Sequence, residues 1–209
     1  MTPGLRAVYD ELVARAASGA WEAETRRLRG ELGERCGRFE RDHPAAASRD
    51  AASIEFALLA GGLAQAIATS LEDPGERGEA ARIAAALPGI LVFRDVDGLL
   101  VADDLWTGAC WWIAPQDDVG RDVQLQLPDS PVAQCHLVVQ ETGCIILPGV
   151  TFHPADALAP IRATLARARE LCLSSRQVAE ALLKMEHSWQ TLSRVKVGYA
   201  YRPDALRPA

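Results

Sequence analysis

The residue types that do chemistry are scattered along this chain. The four His are His43, His136, His153 and His187, and the five Cys are Cys36, Cys110, Cys135, Cys144 and Cys172. A zinc site asks for closely spaced Cys pairs or two His one helical turn apart. Neither spacing occurs, so no metal is expected. Cys135 and His136 are neighbours in a strand pattern and point to opposite faces. That reads as a core thiol and a surface or loop imidazole. Nucleophilic catalysis needs a Cys or Ser that folding brings to a His. Cys110, Cys135 and Cys144 sit among apolar strand residues, where Cys behaves as a small hydrophobe. There is no Gly-x-Ser-x-Gly elbow and no Gly-rich phosphate loop. No catalytic residue is assigned, and no cofactor is implied.

Two constellations remain. Asp103, Asp104, Asp117, Asp118 and Asp122 surround a Trp-rich stretch. Converging carboxylates can hold a divalent cation, but the spacing fits no EF-hand loop. Asp104, just before Thr107-Gly108, suits an Asp that bonds nearby backbone N–H groups in a turn. Three of the five Trp, namely Trp106, Trp111 and Trp112, fall within seven residues. Trp111 and Trp112 are adjacent on a strand and face opposite sides. One enters the core; the other meets a helix, a partner or water. Trp is enriched at binding hot spots. Asp104, Trp106, Trp111 and Trp112, with Trp189 from the last helix, are therefore the candidate binding residues.

Three segments position them: a helical lobe over 1–88, an antiparallel sheet or barrel over 89–154, and C-terminal helices over 155–209 packed on the sheet. Together they make one compact α+β domain. Thr2-Pro3 opens the first helix as cap and first helical residue. A second helix is expected over 21–41, its faces laced by Glu22/Arg26, Glu31/Arg35 and Glu34/Arg38 in the favourable order. His43-Pro44 stops it. A third, capped by Ser48 or Asp50, runs over 51–69; it is apolar nearly all round, which marks a buried helix. Gly61-Gly62 allows a close neighbour there or marks a kink. A short helix over 76–87 precedes the switch at Pro88-Gly89.

Strands are expected over 90–96, 99–103, 109–113, 122–127, 132–140 and 144–147, with a tight turn at Asp97-Gly98. Val123, Leu125 and Leu127 alternate with polar residues, which carries the fourth of these. Pro128-Asp129-Ser130-Pro131 and Glu141-Thr142-Gly143 are turns. After Pro154 a helix covers 157–171. A last helix, capped by Ser174-Ser175, covers 176–194. Val178, Leu182, Met185, Trp189 and Leu192 form its apolar stripe, a core face first and a partner groove second.

The order of these features resembles a group of uncharacterised bacterial proteins. It runs from Phe39-Glu40-Arg41-Asp42-His43-Pro44 to Gly89-Ile90-Leu91-Val92-Phe93. Asp104-Leu105-Trp106-Thr107-Gly108 follows, then Leu147-Pro148-Gly149 and Phe152-His153-Pro154. The likeness covers about 25–170. Members carry an Asp-Leu-Leu-Thr-Gly strand motif and often end in a SecA-type zinc-binding segment. That segment has no counterpart here, so no metal is carried over. The group has no established activity, and the resemblance implies fold alone.

Bulk composition sets the outer limits. Hydrophobic content of 49% and charged content of 24% over 209 residues are those of a globular domain. A net charge of −6 argues against a nucleic-acid partner. No apolar run approaches a membrane span. Unpaired Cys and the lack of a signal-like start point to the cytoplasm. The function expected is a non-catalytic interaction or adaptor module with a protein partner, or a homodimer through the last helix. The alternative is a small-ligand or nucleotide-sensing regulatory domain. An enzyme ranks third, for want of an assembled site.

Overall fold

The computed structural model describes residues 3–115, 118–126, 132–192 and 195–206. It is α+β, with a curled antiparallel half-barrel between two groups of helices. The first group is α1 (Pro3–Ala16), α2 (Glu22–Cys36), α3 (Ala46–Leu58), α4 (Leu63–Ala68) and α5 (Pro74–Ala84). Thr2, the expected cap, lies outside the described residues. The three Glu/Arg pairs of α2 form as the spacing predicts. That helix ends earlier than expected, because Gly37 takes φ +87° and turns the chain away.

The single buried helix expected over 51–69 is two helices. Gly62 sits at φ +77°, which a side chain resists, and the chain breaks between α3 and α4 there. Ser48 and Asp50 lie inside α3 rather than capping it. Asp73 caps α5 by accepting from the Glu76 N–H at 2.8 Å.

The sheet comprises β1 (Leu87–Val96), β2 (Leu99–Asp104), β3 (Cys110–Trp112), β4 (Val132–Gln140), β5 (Gly143–Ile146) and β6 (Thr151–His153). The order is β3-β2-β1-β4-β5, with β6 also on β4. Asp97 and Gly98, at φ +54° and +81°, make the expected tight turn between β1 and β2. An Ile113–Cys144 bridge brings the end of β3 beside β5 and curls the sheet.

The strand expected over 122–127 is instead part of a helix, α6 (Asp118–Gln126). Successive residues of a helix turn by about 100°, so Val123 and Leu125 cannot share a face. Val123 is buried inside the half-barrel while Leu125 is exposed. Val119 and Val123, four apart, are the pair that holds α6 to the sheet. Leu127 and the turn at 128–131 lie outside the described residues. β1 starts at Leu87, ahead of the Pro88-Gly89 switch, and β6 is an additional strand.

The sheet has two apolar faces. Leu91, Phe93, Ala133, Cys135, Leu137 and Ile146 point into the half-barrel with Val123. On the outer face, Val138 and Ile145 pack on the N-terminal helices. Ile90 and Val132 pack on α7 (Leu158–Glu170) and α8 (Ser175–Thr191). Ser174 and Gln177 close a capping box on α8. Within its stripe, Val178, Leu182 and Met185 are buried against the same chain and Trp189 packs beside them. Leu192 is 55% exposed at the helix end.

This division sets an expectation for urea denaturation. Leu182→Ala should cost about 2–5 kcal/mol, as for other fully buried leucines. Leu192→Ala should stay within about 0.5 kcal/mol of the parent. Equal losses would mean that the whole stripe is core.

Candidate functional site

β4 runs beneath both helical groups. On its outer face Val132 belongs to the C-terminal core and Val138 to the N-terminal core. Between them, two and four residues on from Val132, stand Gln134 and His136. They lie where the two groups of helices meet and do not quite close. The gap is a cavity of about 260 Å³. Leu32, Ala52, Phe56, Leu59 and Ala60 wall it from the N-terminal side, and Ala179 and Leu183 of α8 from the other. Gln134, His136 and Thr151 supply polar groups, and Arg176 and Glu180 of α8 also line it.

His136 is held from behind. Its Nδ1 is 3.0 Å from Oε2 of Glu55, which is wholly buried in α3. Oε1 of Glu55 accepts the Tyr9 hydroxyl at 3.1 Å and the Gly149 N–H. Burial first, and then the charge of Glu55, push the Tyr9 hydroxyl well above its ordinary range, so it stays a donor. A carboxylate has no proton to give, so Nδ1 donates to it. Neutral His136 then keeps its lone pair on Nε2, which has no partner among the described residues. Gly149 is required because a Cβ there would lie 2.5 Å from the Glu55 carboxyl carbon.

Gln134 is held from the C-terminal side. Its Nε2 donates to the Ala179 carbonyl at 3.0 Å, which leaves Oε1 to accept His153 Nε2–H at 3.0 Å. His153 Nδ1 must then accept the Tyr201 hydroxyl at 2.8 Å. Every polarity in this relay follows from one carbonyl. His153 is fully buried. Burial, aided by the charge of Arg49, pushes it down to about 3, so it is neutral. Beside it, Arg49 pairs with Glu186 and donates to the Leu183 carbonyl at 2.9 Å. Burial outweighs Arg49 and holds the Glu186 carboxyl above the usual carboxylate range.

Thr151 pairs with Gln134 across β6 and β4, so it shares their outer face. It is 4% exposed, and its Oγ1 has no hydrogen-bond partner among the described residues. Such an orphan hydroxyl costs about 1–3 kcal/mol unless something in the cavity meets it.

The residues singled out from the sequence lie elsewhere; none of the five lines this cavity. Asp104 is 5% exposed and accepts from Ile90 N–H at 3.3 Å, Trp106 N–H at 3.0 Å and the Thr107 hydroxyl at 2.5 Å. Trp106 packs on the C-terminal core under the Arg169 guanidinium, 5.0 Å from its ring centre. Trp189 packs on the same core. Trp111 packs on the half-barrel interior, whereas Trp112 faces outward and is 52% exposed. Asp103 is paired with Arg94 at 2.7 Å, and Asp117 lies outside the described residues. No three His, Cys, Asp or Glu side chains converge as metal ligands among the described residues. No helix among them is long and apolar enough to cross a membrane.

Glu55 and His136 were missed as a pair. The signal was present: Glu55 is the one charged residue between Asp50 and Glu72, in a stretch that is mostly apolar. Its partners, 46, 81 and 94 residues away, carry no local pattern.

Comparison with protein-family models, curated proteins and solved structures finds no match.

Two measurements follow from this geometry. Glu55→Ala leaves the Tyr9 hydroxyl and the Gly149 N–H buried without an acceptor, and should cost about 3–5 kcal/mol in urea denaturation. Glu55→Gln puts an amide donor opposite Nδ1, so ¹⁵N spectra should show the proton of neutral His136 moving to Nε2. An unchanged tautomer would mean that Glu55 does not orient the ring. The second concerns His153. Its pKa is 6.5 when unfolded and about 3 when folded, so the unfolded chain binds the extra proton between those values. That contribution is complete above pH 6.5 and fades as pH falls toward 3, by on the order of 4 kcal/mol. Glu186 has the opposite sign. The comparison is therefore with His153→Phe, whose melting temperature should fall less steeply over the same acid range.

Proposed function

We propose that this chain is a small-molecule-binding domain and that its site is the cavity between the helical groups, over β4. One observation carries the reading: an apolar, largely preformed pocket into which a few fixed polar groups converge. His136 is oriented by a buried carboxylate, Gln134 by a relay ending on a helix carbonyl, and Thr151 offers an unmet hydroxyl. Ligand sites favour such junctions because binding there ties two packed units together. A ligand touching both α3 and α8 would couple its occupancy to the docking of the C-terminal helices. Sensing or regulation is the role this suits best.

The second reading, a protein-interaction module, is favoured by Trp112. It stands half-exposed on β3, which ends the strand order of the sheet. A half-exposed Trp suits an apolar pocket on a partner protein.

A thermal-shift screen of small metabolites separates these. The parent protein should be stabilised by at least one compound, and Ala52→Phe, which fills the cavity, should lose that response while still folding. Trp112→Ala should keep it. A screen in which no compound raises the melting temperature, or in which Ala52→Phe responds as the parent does, rejects the cavity as the site.

A further inference from the structure

We infer that the ligand of this cavity is an uncharged hydroxyl compound: a small apolar body, one ring or a short branched chain, whose single hydroxyl binds between His136 and Thr151. The inference rests on the small-molecule reading above and names the ligand class.

Size comes first. Sites for drug-sized ligands span about 300–1,000 Å³. This cavity, at about 260 Å³, lies below that range. It suits one substituted ring and excludes a nucleotide.

Charge comes next. Among the described residues only two charged side chains line the cavity, Arg176 and Glu180, and they pair with each other at 3.0 Å. Behind them, Arg35 lies between Glu180 at 2.8 Å and Glu31 at 4.0 Å, and Arg27 is held by Glu24 at 2.6 Å. Three guanidinia thus face three carboxylates. An ion entering here would shed its water and find no unpaired countercharge, which is strongly unfavourable. The walls, formed by alanine, leucine and phenylalanine side chains, suit an apolar body.

Hydrogen bonding then selects the functional group. Both ends of the Gln134 amide are occupied, by the Ala179 carbonyl and by His153. Two groups remain. His136 Nδ1 donates to Glu55, so its Nε2 is an acceptor with no partner among the described residues. Thr151 Oγ1 is likewise unpartnered among them, in a residue only 4% exposed. The register sets the two side by side: Thr151 pairs with Gln134, and His136 is two residues on along the same face of β4. Such diagonal neighbours are about 7–8 Å apart at the backbone, close enough for one small group to touch both side chains. The Thr151 hydroxyl can donate, whereas Nε2 only accepts. A ligand oxygen that bears a proton answers both, donating to Nε2 and accepting from Thr151. An ether oxygen has no proton for Nε2, and an indole N–H has no lone pair for Thr151. A hydroxyl has both.

The test is isothermal titration of the intact protein, in mildly alkaline buffer, with three one-ring probes. These are p-cresol, 4-methylanisole, which lacks the hydroxyl proton, and 4-hydroxybenzoate, which keeps the hydroxyl and adds a charge. p-Cresol should bind about tenfold more tightly than either, because a buried group left unmet discriminates strongly. Ala52→Phe should abolish its binding. Thr151→Val keeps the shape of the side chain and removes an unmet hydroxyl, so it should fold as the parent does. It should weaken p-cresol by about fivefold and leave 4-methylanisole in place. Glu55→Gln, which turns Nε2 into a donor, should narrow the preference for p-cresol over 4-methylanisole by a similar factor. Equal affinities for those two probes on the parent would overturn the hydroxyl class and leave the cavity reading standing. 4-Hydroxybenzoate binding as well as p-cresol would overturn the uncharged class. Unchanged p-cresol affinity in Thr151→Val would overturn the shared contact, and p-cresol binding that survives Ala52→Phe would lie outside the cavity and overturn the inference. If no probe binds at millimolar concentration, the hydroxyl class is overturned as well, and the metabolite screen decides the cavity by itself.

Discussion

The buried carboxylate of Glu55 is the interaction on which the candidate site depends. A charge removed from water survives only with donors around it, because its desolvation costs several kcal/mol. Here the donors come from three separate parts of the chain: Tyr9 on α1, His136 on β4 and the Gly149 backbone. Satisfying one group thus fixes a helix, a strand and a loop relative to one another. It also fixes which nitrogen of His136 faces the cavity. Replacing Glu55 by an apolar residue would remove the desolvation cost but leave the other three groups without partners. The position is therefore constrained from both sides.

The outer face of β4 explains why a cavity forms there. Two helical groups, each with its own apolar cluster, rest on one strand. Val132 and Val138 anchor them at its two ends, and each anchor is completely buried. The two positions between are polar. Gln134 and His136 cannot be covered by apolar side chains without losing their hydrogen bonds, so the helices stop short. Each is satisfied from a different side, His136 by the N-terminal helices and Gln134 through α8. The gap is thus a consequence of polar satisfaction, with small Ala side chains at 52, 60 and 179 keeping it open. The same arrangement puts the start of α8, with its partial charge and Arg176, over an apolar hollow.

A second buried polar layer lies just behind. His153, Tyr201, Arg49 and Glu186 tie β6, the C-terminal tail, α3 and α8 together. Buried networks of this kind contribute less to net stability than to a unique arrangement, because partial satisfaction is penalised heavily. Among the described residues Arg49 Nε and Nη1 have no hydrogen-bond partner, and its guanidinium carbon lies 5.3 Å from the Phe39 ring centre. The orientation of α8 over the cavity follows from this layer as much as from the apolar stripe of Val178, Leu182 and Met185.

Much of the architecture was legible in the residues because it is local. Period-two alternation and the Asp97-Gly98 turn marked β1 and β2. Ser174-Ser175 marked the start of α8, and i,i+4 pairing marked α2. Asp104 was recognisable as a turn residue, since its partners lie within a few positions or on the neighbouring strand. Where local signals conflict, they misled. Val123 and Leu125 look alike in an alternating strand, and only packing of Val119 and Val123 into the half-barrel selects a helix. Gly62 was readable as a break, but whether α3 continued through it depended on what packed around it. The cavity was not legible at all. Its floor, walls and rim come from β4, α3 and α8, more than a hundred residues apart at the extremes. Sequence alone determined most of the helices and strands, their order along the chain and the opposite facing of Cys135 and His136, because these follow from local backbone geometry. Only the tertiary structure decided that His136 meets Glu55, that Trp106 and Trp189 share a core, and that Arg35 and Arg176 share one Glu180. Those pairings depend on which distant groups must satisfy one another once water is excluded.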